Sequence, residues 1–236
     1  MRRLGFGLVL LTMMCARASA FQTPADSKTP TVTAKGTAGD EDVPDMTIRQ
    51  VSLKPGETLL VSCNDEGGDV EMTWNGTPLH RDVTTHGSGF YTQVFTLYSA
   101  AGGAGDIVAS HASGGDLSIN AYAVTNLAPA ALDKSAAAQG TGTSPSSGAT
   151  PTTSHANEFV WGSIGYATNG KPTGTWSNGF TAGGQFTNTG GISGVEDGYK
   201  IVSSSAGYTA AKSGVDKDAW TAVIVTYAVA GRDPSR

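Results

Sequence analysis

Two groups of acidic residues raise the question of metal or acid chemistry. In "NDEGGD", Asn64, Asp65, Glu66 and Asp69 are oxygen-bearing side chains spread through a glycine-bearing turn. Such spacing suits a hard cation, so the set is a candidate structural Ca²⁺ site, against the plainer expectation of a solvated hairpin loop. Glu196 and Asp197 in "SGVEDG" form a second acidic pair. Paired carboxylates also suggest glycoside hydrolysis, which needs two acids about 5–10 Å apart across a sugar. Here the acids sit in glycine-rich turns rather than along a groove-facing strand. His80, His86, His111 and His155 have no metal-ligand spacing, and no serine stands in a Gly-x-Ser-x-Gly elbow. The expectation is therefore no catalytic residues and no enzyme, with a polysaccharide-active enzyme as the minority alternative.

The aromatic residues offer a different chemistry. A sugar stacks its apolar face on an exposed ring while neighbouring amides take its hydroxyls. Three pairs fit that description: Trp176 with Asn178, Trp74 with Asn75, and Tyr91 with Gln93. Trp176 lies in a turn-rich segment without an apolar register and is the expected platform. Trp74 ends "VEMTWN", where Val70 and Met72 share its two-step register, so alternation turns its ring toward a core. Trp161 and Trp220 lie in strongly apolar stretches and are expected inside.

Strands must position these residues, because period-two alternation dominates the chain and helical periodicity is nearly absent. Strands are expected from Met46, Glu57, Asp69, Pro78, Gly89, Gly105 and Leu117, then from Asn157, Phe180, Gly198 and Asp218. Pro55-Gly56, Gly67-Gly68, Asn75-Gly76, Gly102-Gly103 and Gly114-Gly115 punctuate the first seven. Asn75-Gly76 predicts a type I′ hairpin, since both residues tolerate positive φ. Strand and turn signals recurring roughly every 8–12 residues predict an all-β fold, a single jelly-roll sandwich of two antiparallel sheets. "ALDKSAAAQGTG" is expected to lie extended over a sheet edge, and "GATPTTSHA" to form a short strand. The apolar closing segment from Asp218, with Trp220, Val223, Val225, Tyr227 and Val229 read as one side, is expected to be central.

The ends of the chain read differently. Residues 1–20 carry Arg2 and Arg3, an apolar run shorter than the ~17–25 residues of a membrane helix, and Ala18-Ser19-Ala20. That is the pattern of a signal peptide cleaved before Phe21, and it predicts export. Residues 21–44 have little apolar content and several prolines, and predict a disordered leader. The folded domain is expected over 45–231, followed by a tail at 232–236. Formal net charge is −5. Removing the three arginines of residues 1–20, which contain no acid, leaves −5 − 3 = −8. An acidic surface argues against nucleic-acid or anionic-membrane partners. Without the signal, Cys63 is the remaining cysteine; no internal disulfide can form, and a buried, inert thiol is expected.

"TWNGTPL", an aromatic-rich strand, "AYAVTNL", "GTGTSPS", "NEFVWGSIGY" and the closing Trp-plus-apolar strand together resemble secreted bacterial and phage-associated jelly-roll modules, lectin-like or laminin-G-like in shape. The resemblance spans about Met46 to Ala230 and implies a surface-binding or structural module, without a functional residue set to carry over. The expected function is non-catalytic binding of a carbohydrate or cell-surface polymer. A self-assembling surface protein is the alternative.

Overall fold

The computed structural model describes residues 28–231 apart from 69, 168–172 and 189–192. The expected signal peptide, the start of the expected leader and the expected tail from residue 232 lie outside the described residues. Within them the fold is all-β. The strands are β1 (Val32–Leu53), β2 (Thr58–Asp65), β3 (Val70–Trp74), β4 (Thr77–Pro78), β5 (His80–Gly87), β6 (Phe90–Leu97) and β7 (Gly103–Val124). They continue as β8 (Leu127–Gly142), β9 (Ser146–Ala149), β10 (Asn157–Ala167), β11 (Thr175–Trp176), β12 (Thr181–Thr187), β13 (Ser193–Ser203), β14 (Thr209–Ser213) and β15 (Asp218–Val229).

These strands make three antiparallel sheets where two were expected. The first runs β4-β3-β7-β2-β6-β5, with β1 also paired to β7. The second runs β12-β13-β10-β15-β8, and a small third runs β11-β14-β9. Each large sheet uses one contiguous half of the chain. The two strands expected from Gly105 and Leu117 are one long strand, β7. Its first part pairs with β3 and its second with β2, with Gly114 and Gly115 at positive φ between them. β1 follows it, and its register breaks around Val43.

The first sheet consequently folds over on itself. Lys35 Nζ donates to the carbonyl of Ser52, 2.7 Å away on the same strand, and a Cβ at Gly36 would meet Ile48 at 2.7 Å. Inside the fold lie Val61, Cys63, Met72, Trp74, Ile107 and Ile119, all buried. Burial pushes the Cys63 thiol well above its ordinary value, as an inert core cysteine requires. Asn75 (φ 49°) and Gly76 (φ 76°) form the expected I′ turn, and Trp74 points inward, 6% exposed, with Nε1 donating to the Val51 carbonyl at 3.3 Å.

Residues 32–44 correct the expectation of disorder across the whole leader. They form the first part of β1, with Val32 opposite Val124 and Asp40 opposite Leu117. Backbone pairing to β7 holds this stretch, and so its low apolar content is no obstacle.

The outer face of the first sheet packs on the second. Leu60, Val94 and Val124 meet Phe159, Trp161, Val223, Val225 and Tyr227. Strand β15 is interior to its sheet, as its composition predicted. Trp220, however, belongs to the opposite face from Val223, beside Ile164 and Tyr166. That back face of the second sheet is covered by the third. "ALDKSAAAQGTG" becomes the edge strand β8, paired to β15.

Candidate functional site

Trp176 sits on β11 directly opposite Lys212 on β14. Its ring lies over the back of the second sheet because two glycines admit it: a Cβ at Gly198 would come within 2.7 Å of the indole, and one at Gly162 within 3.5 Å. Phe180 stacks beside it at 5.6 Å between centroids. Asn178 (φ 56°) and Gly179 (φ 74°) repeat the Asn-Gly turn chemistry of Asn75-Gly76, closed by Phe180 N donating to the Ser177 carbonyl. Trp176 is thus a half-buried wall and not the freely exposed platform expected from its segment.

Beside the indole is a cleft of about 190 Å³, lined by Trp176, Gln185, Glu196, Lys212 and the glycines 183 and 184. Those glycines form a bulge where the β12–β13 register slips between Ala182 and Gln185. Glu196 and Lys212 are ion-paired on the floor, each 4% exposed at the side chain. Burial raises the Glu196 carboxyl above its usual range, while Lys212 and Tyr166 pull it back. A paired, buried carboxylate is a fixed dipole and not a free acid.

Asp197, the next residue, faces the other way, into the seam between the large sheets. It is 1% exposed. Its Oδ2 accepts from Asn120 Nδ2 at 2.7 Å and from the Tyr122 hydroxyl at 2.9 Å. Burial pushes its carboxyl up to about 6, against the pull of Asn120, Ser62, Ser163 and Tyr122. The seam around it is polar: Asn64 Nδ2 donates to the Tyr166 carbonyl (3.1 Å) and Ser193 Oγ (3.0 Å), and Thr92 meets Thr221 at 2.6 Å. Because Glu196 and Asp197 project to opposite faces, they do not form a carboxylate pair across one groove.

The other expected site residues are scattered. Asn64 and Asp65 are successive strand residues and project to opposite faces of β2, both fully buried. Asp65 Oδ1 accepts from Gly68 N at 2.7 Å and Oδ2 from Gln93 Nε2 at 2.8 Å. Glu66 is exposed, its carboxyl raised by burial and by Asp116 and Asp42, and Asp69 lies outside the described residues. The three described Ca²⁺ candidates, Asn64, Asp65 and Glu66, do not converge on one point, and among the described residues no group of three or more His, Cys, Asp or Glu could hold a metal ion.

Of the aromatic pairs, Trp74 is interior and Asn75 exposed at its turn. Gln93 is fully buried, and Tyr91 stacks on His86 at 4.2 Å. Asn178 is exposed but turned onto the Thr209 carbonyl (3.1 Å), outside the cleft lining. Trp176 alone of the six lines the cleft. Sequence reasoning missed Gln185 and Lys212. The paired glycines within "FTAGGQFTNT" were the available signal, since glycine inside a strand pattern marks a bulge or a close approach.

No family model matches the chain, and neither a curated protein nor a solved structure is similar to it. The resemblance to secreted jelly-roll modules rests on its short motifs alone.

Proposed function

We propose that the chain is a non-catalytic, exported β-sandwich module that binds a carbohydrate or another cell-surface polymer at the Trp176 cleft. One observation carries the reading: an indole wall, the Gln185 amide and a buried ion pair share one small concavity. A ring with polar groups held rigidly beside it matches the demands of a sugar, whose apolar face stacks while its hydroxyls bond at the rim. The paired glycines 183 and 184 of the lining support this by letting a flat ligand approach the backbone. What is carried forward from the jelly-roll reading is the stacked pair of large sheets, without the exchange of strands between them.

The test is a glycan array with mature protein, followed by retardation on polysaccharide gels. Binding that is lost in Trp176→Ala and kept in Asn75→Ala supports the cleft. A blank array together with unretarded migration would sink it. Export is checked separately by N-terminal sequencing of protein recovered from the medium, with Phe21 as the expected first residue.

One observation favours a second reading, self-assembly by strand addition. A cavity of about 420 Å³ lies at the seam of the folded first sheet, lined by Val70, Glu71, Leu79, Arg81 and Phe95. Beyond Met72 the outer edge of β3 has no strand beside it among the described residues. Concentration-dependent oligomers in light scattering, with no response to glycans, would select this reading.

A further inference from the structure

The ion pair on the floor of the Trp176 cleft is also a nucleophile held against an electrophile. Lys212 reaches it from β14 in the third sheet, and Glu196 from β13 in the second. An ammonium carries three donors, yet among the described residues Glu196 Oε2 is the one oxygen that Lys212 Nζ meets, with the Trp176 ring centre 6.0 Å away. Trp176 packs against both apolar clusters behind the second sheet, one around Val160 and Ile224 and one around Ile164 and Ala222. Both charges are therefore withheld from water. The lost hydration of two such charges can exceed what their attraction returns.

We propose that Lys212 and Glu196 condense to an intramolecular amide, a covalent bond that ties the third sheet to the second. Proton transfer within the pair gives a neutral amine and a carboxylic acid, the two forms that react, and apolar surroundings favour the uncharged pair. Burial already raises the Glu196 carboxyl above its usual range, the direction that this transfer needs. The Nζ lone pair then attacks Cδ of Glu196. The Nζ–Cδ bond forms and one Cδ–O bond breaks. The departing hydroxyl takes one proton from Nζ and leaves as water, so no oxidant, reductant or further reactant enters. Contact inside the fold supplies the rate, since well-oriented groups reach effective concentrations of about 10⁵–10⁸ M. The product replaces two buried charges with one neutral amide.

The surroundings meet the remaining needs of the step. The Tyr166 hydroxyl is buried without a hydrogen-bond partner and acts on the Glu196 carboxyl, which places it to pass the proton from Nζ to the departing oxygen. Burial, and then the charge of Glu196, keep that phenol neutral. The water leaves by the cleft, whose lining includes both reacting residues. The third sheet is built of strands of two, five and four residues, β11, β14 and β9, and the amide gives it a hold that such short ladders lack. A carbonyl and an N–H remain on the cleft floor, so condensation and glycan binding stand or fall separately.

The experiment is the intact mass of the purified, denatured protein, with its amino terminus fixed by sequencing. The expected mass is that of the sequence less one water. Trypsin should then release a branched peptide that joins the segment ending at Lys200 to the segment from Ile201 to Lys217, uncut at Lys212. Lys212→Arg keeps the positive charge but has no amine to condense, and it should return the full sequence mass, as should Glu196→Ala. Tyr166→Phe should show a mixture of the two masses soon after synthesis; complete condensation there would overturn the hydroxyl's part in the step. A wild-type mass equal to that of the sequence would overturn the proposal, as would a water loss that persists in Lys212→Arg. The wild-type mass decides the matter even if a variant fails to fold.

Discussion

The two sides of β2 meet very different surroundings. On one side Leu59, Val61 and Cys63 face the mainly apolar interior of the folded first sheet, with the buried Asp65–Gln93 bond at its end. On the other, Leu60 enters the apolar end of the seam with the second sheet, while Ser62 and Asn64 enter its polar end. All eight residues of β2 are buried. The lesson is that alternation reports polarity and not exposure. Where a strand is covered on both faces, its polar residues join two layers through specific bonds instead of meeting water.

That contrast can be broken from either side. The largest loss is expected from Trp161→Ala, which removes a fully buried indole packed edge-on against Tyr122 at 4.7 Å. It should cost about 3–5 kcal/mol in urea unfolding. Leu59→Ala, at the apolar end of the other side, should cost about 3 kcal/mol and show no pH dependence of its own.

Asp197 tests the polar side through pH. Its folded value of about 6 exceeds the ordinary 3.8, so the folded state binds the proton more tightly than the unfolded state does. Stability from this group is fully present below about pH 4 and lost as pH rises through 6, on the order of 3 kcal/mol. The measurement is the difference between wild type and Asp197→Asn across that range. A difference that stays flat with pH would remove Asp197 as a titrating group. The smallest effect is expected from Ser62→Ala, which leaves Trp161 Nε1 unpaired and should cost about 1–2 kcal/mol. If Ser62→Ala proved as costly as Trp161→Ala, the polar end and not the indole would dominate the seam.

Much of the architecture was legible from local chemistry. Asn75-Gly76 announced its turn, Met72 and Val70 announced which way Trp74 points, and the apolar run in β15 announced an interior strand. What escaped notice depends on partners far along the chain. Val32 to Val43 lack the apolar content of a core strand and are held by the backbone of β7, which no local pattern reveals. Asn64 and Asp65 read as loop ligands because the second sheet that buries Asn64 is built from residues beyond 127. The cleft was half legible. Trp176 stood out by type, whereas Gln185, Glu196 and Lys212 reach it only through the register of β12, β13 and β14. Trp220 was assigned to the wrong side of β15 because its spacing from Val223 is odd, and an odd spacing along a strand changes face.

The pairing of β1 with β7 has a consequence for the order in which the molecule can come into being. Val32 lies opposite Val124, so the strand that begins the fold waits for roughly ninety further residues before its ladder can close. Synthesis from the amino end therefore releases a long backbone edge well ahead of its mate. Such a chain gathers slowly, through distant contacts, and passes its early life as an unclosed thread.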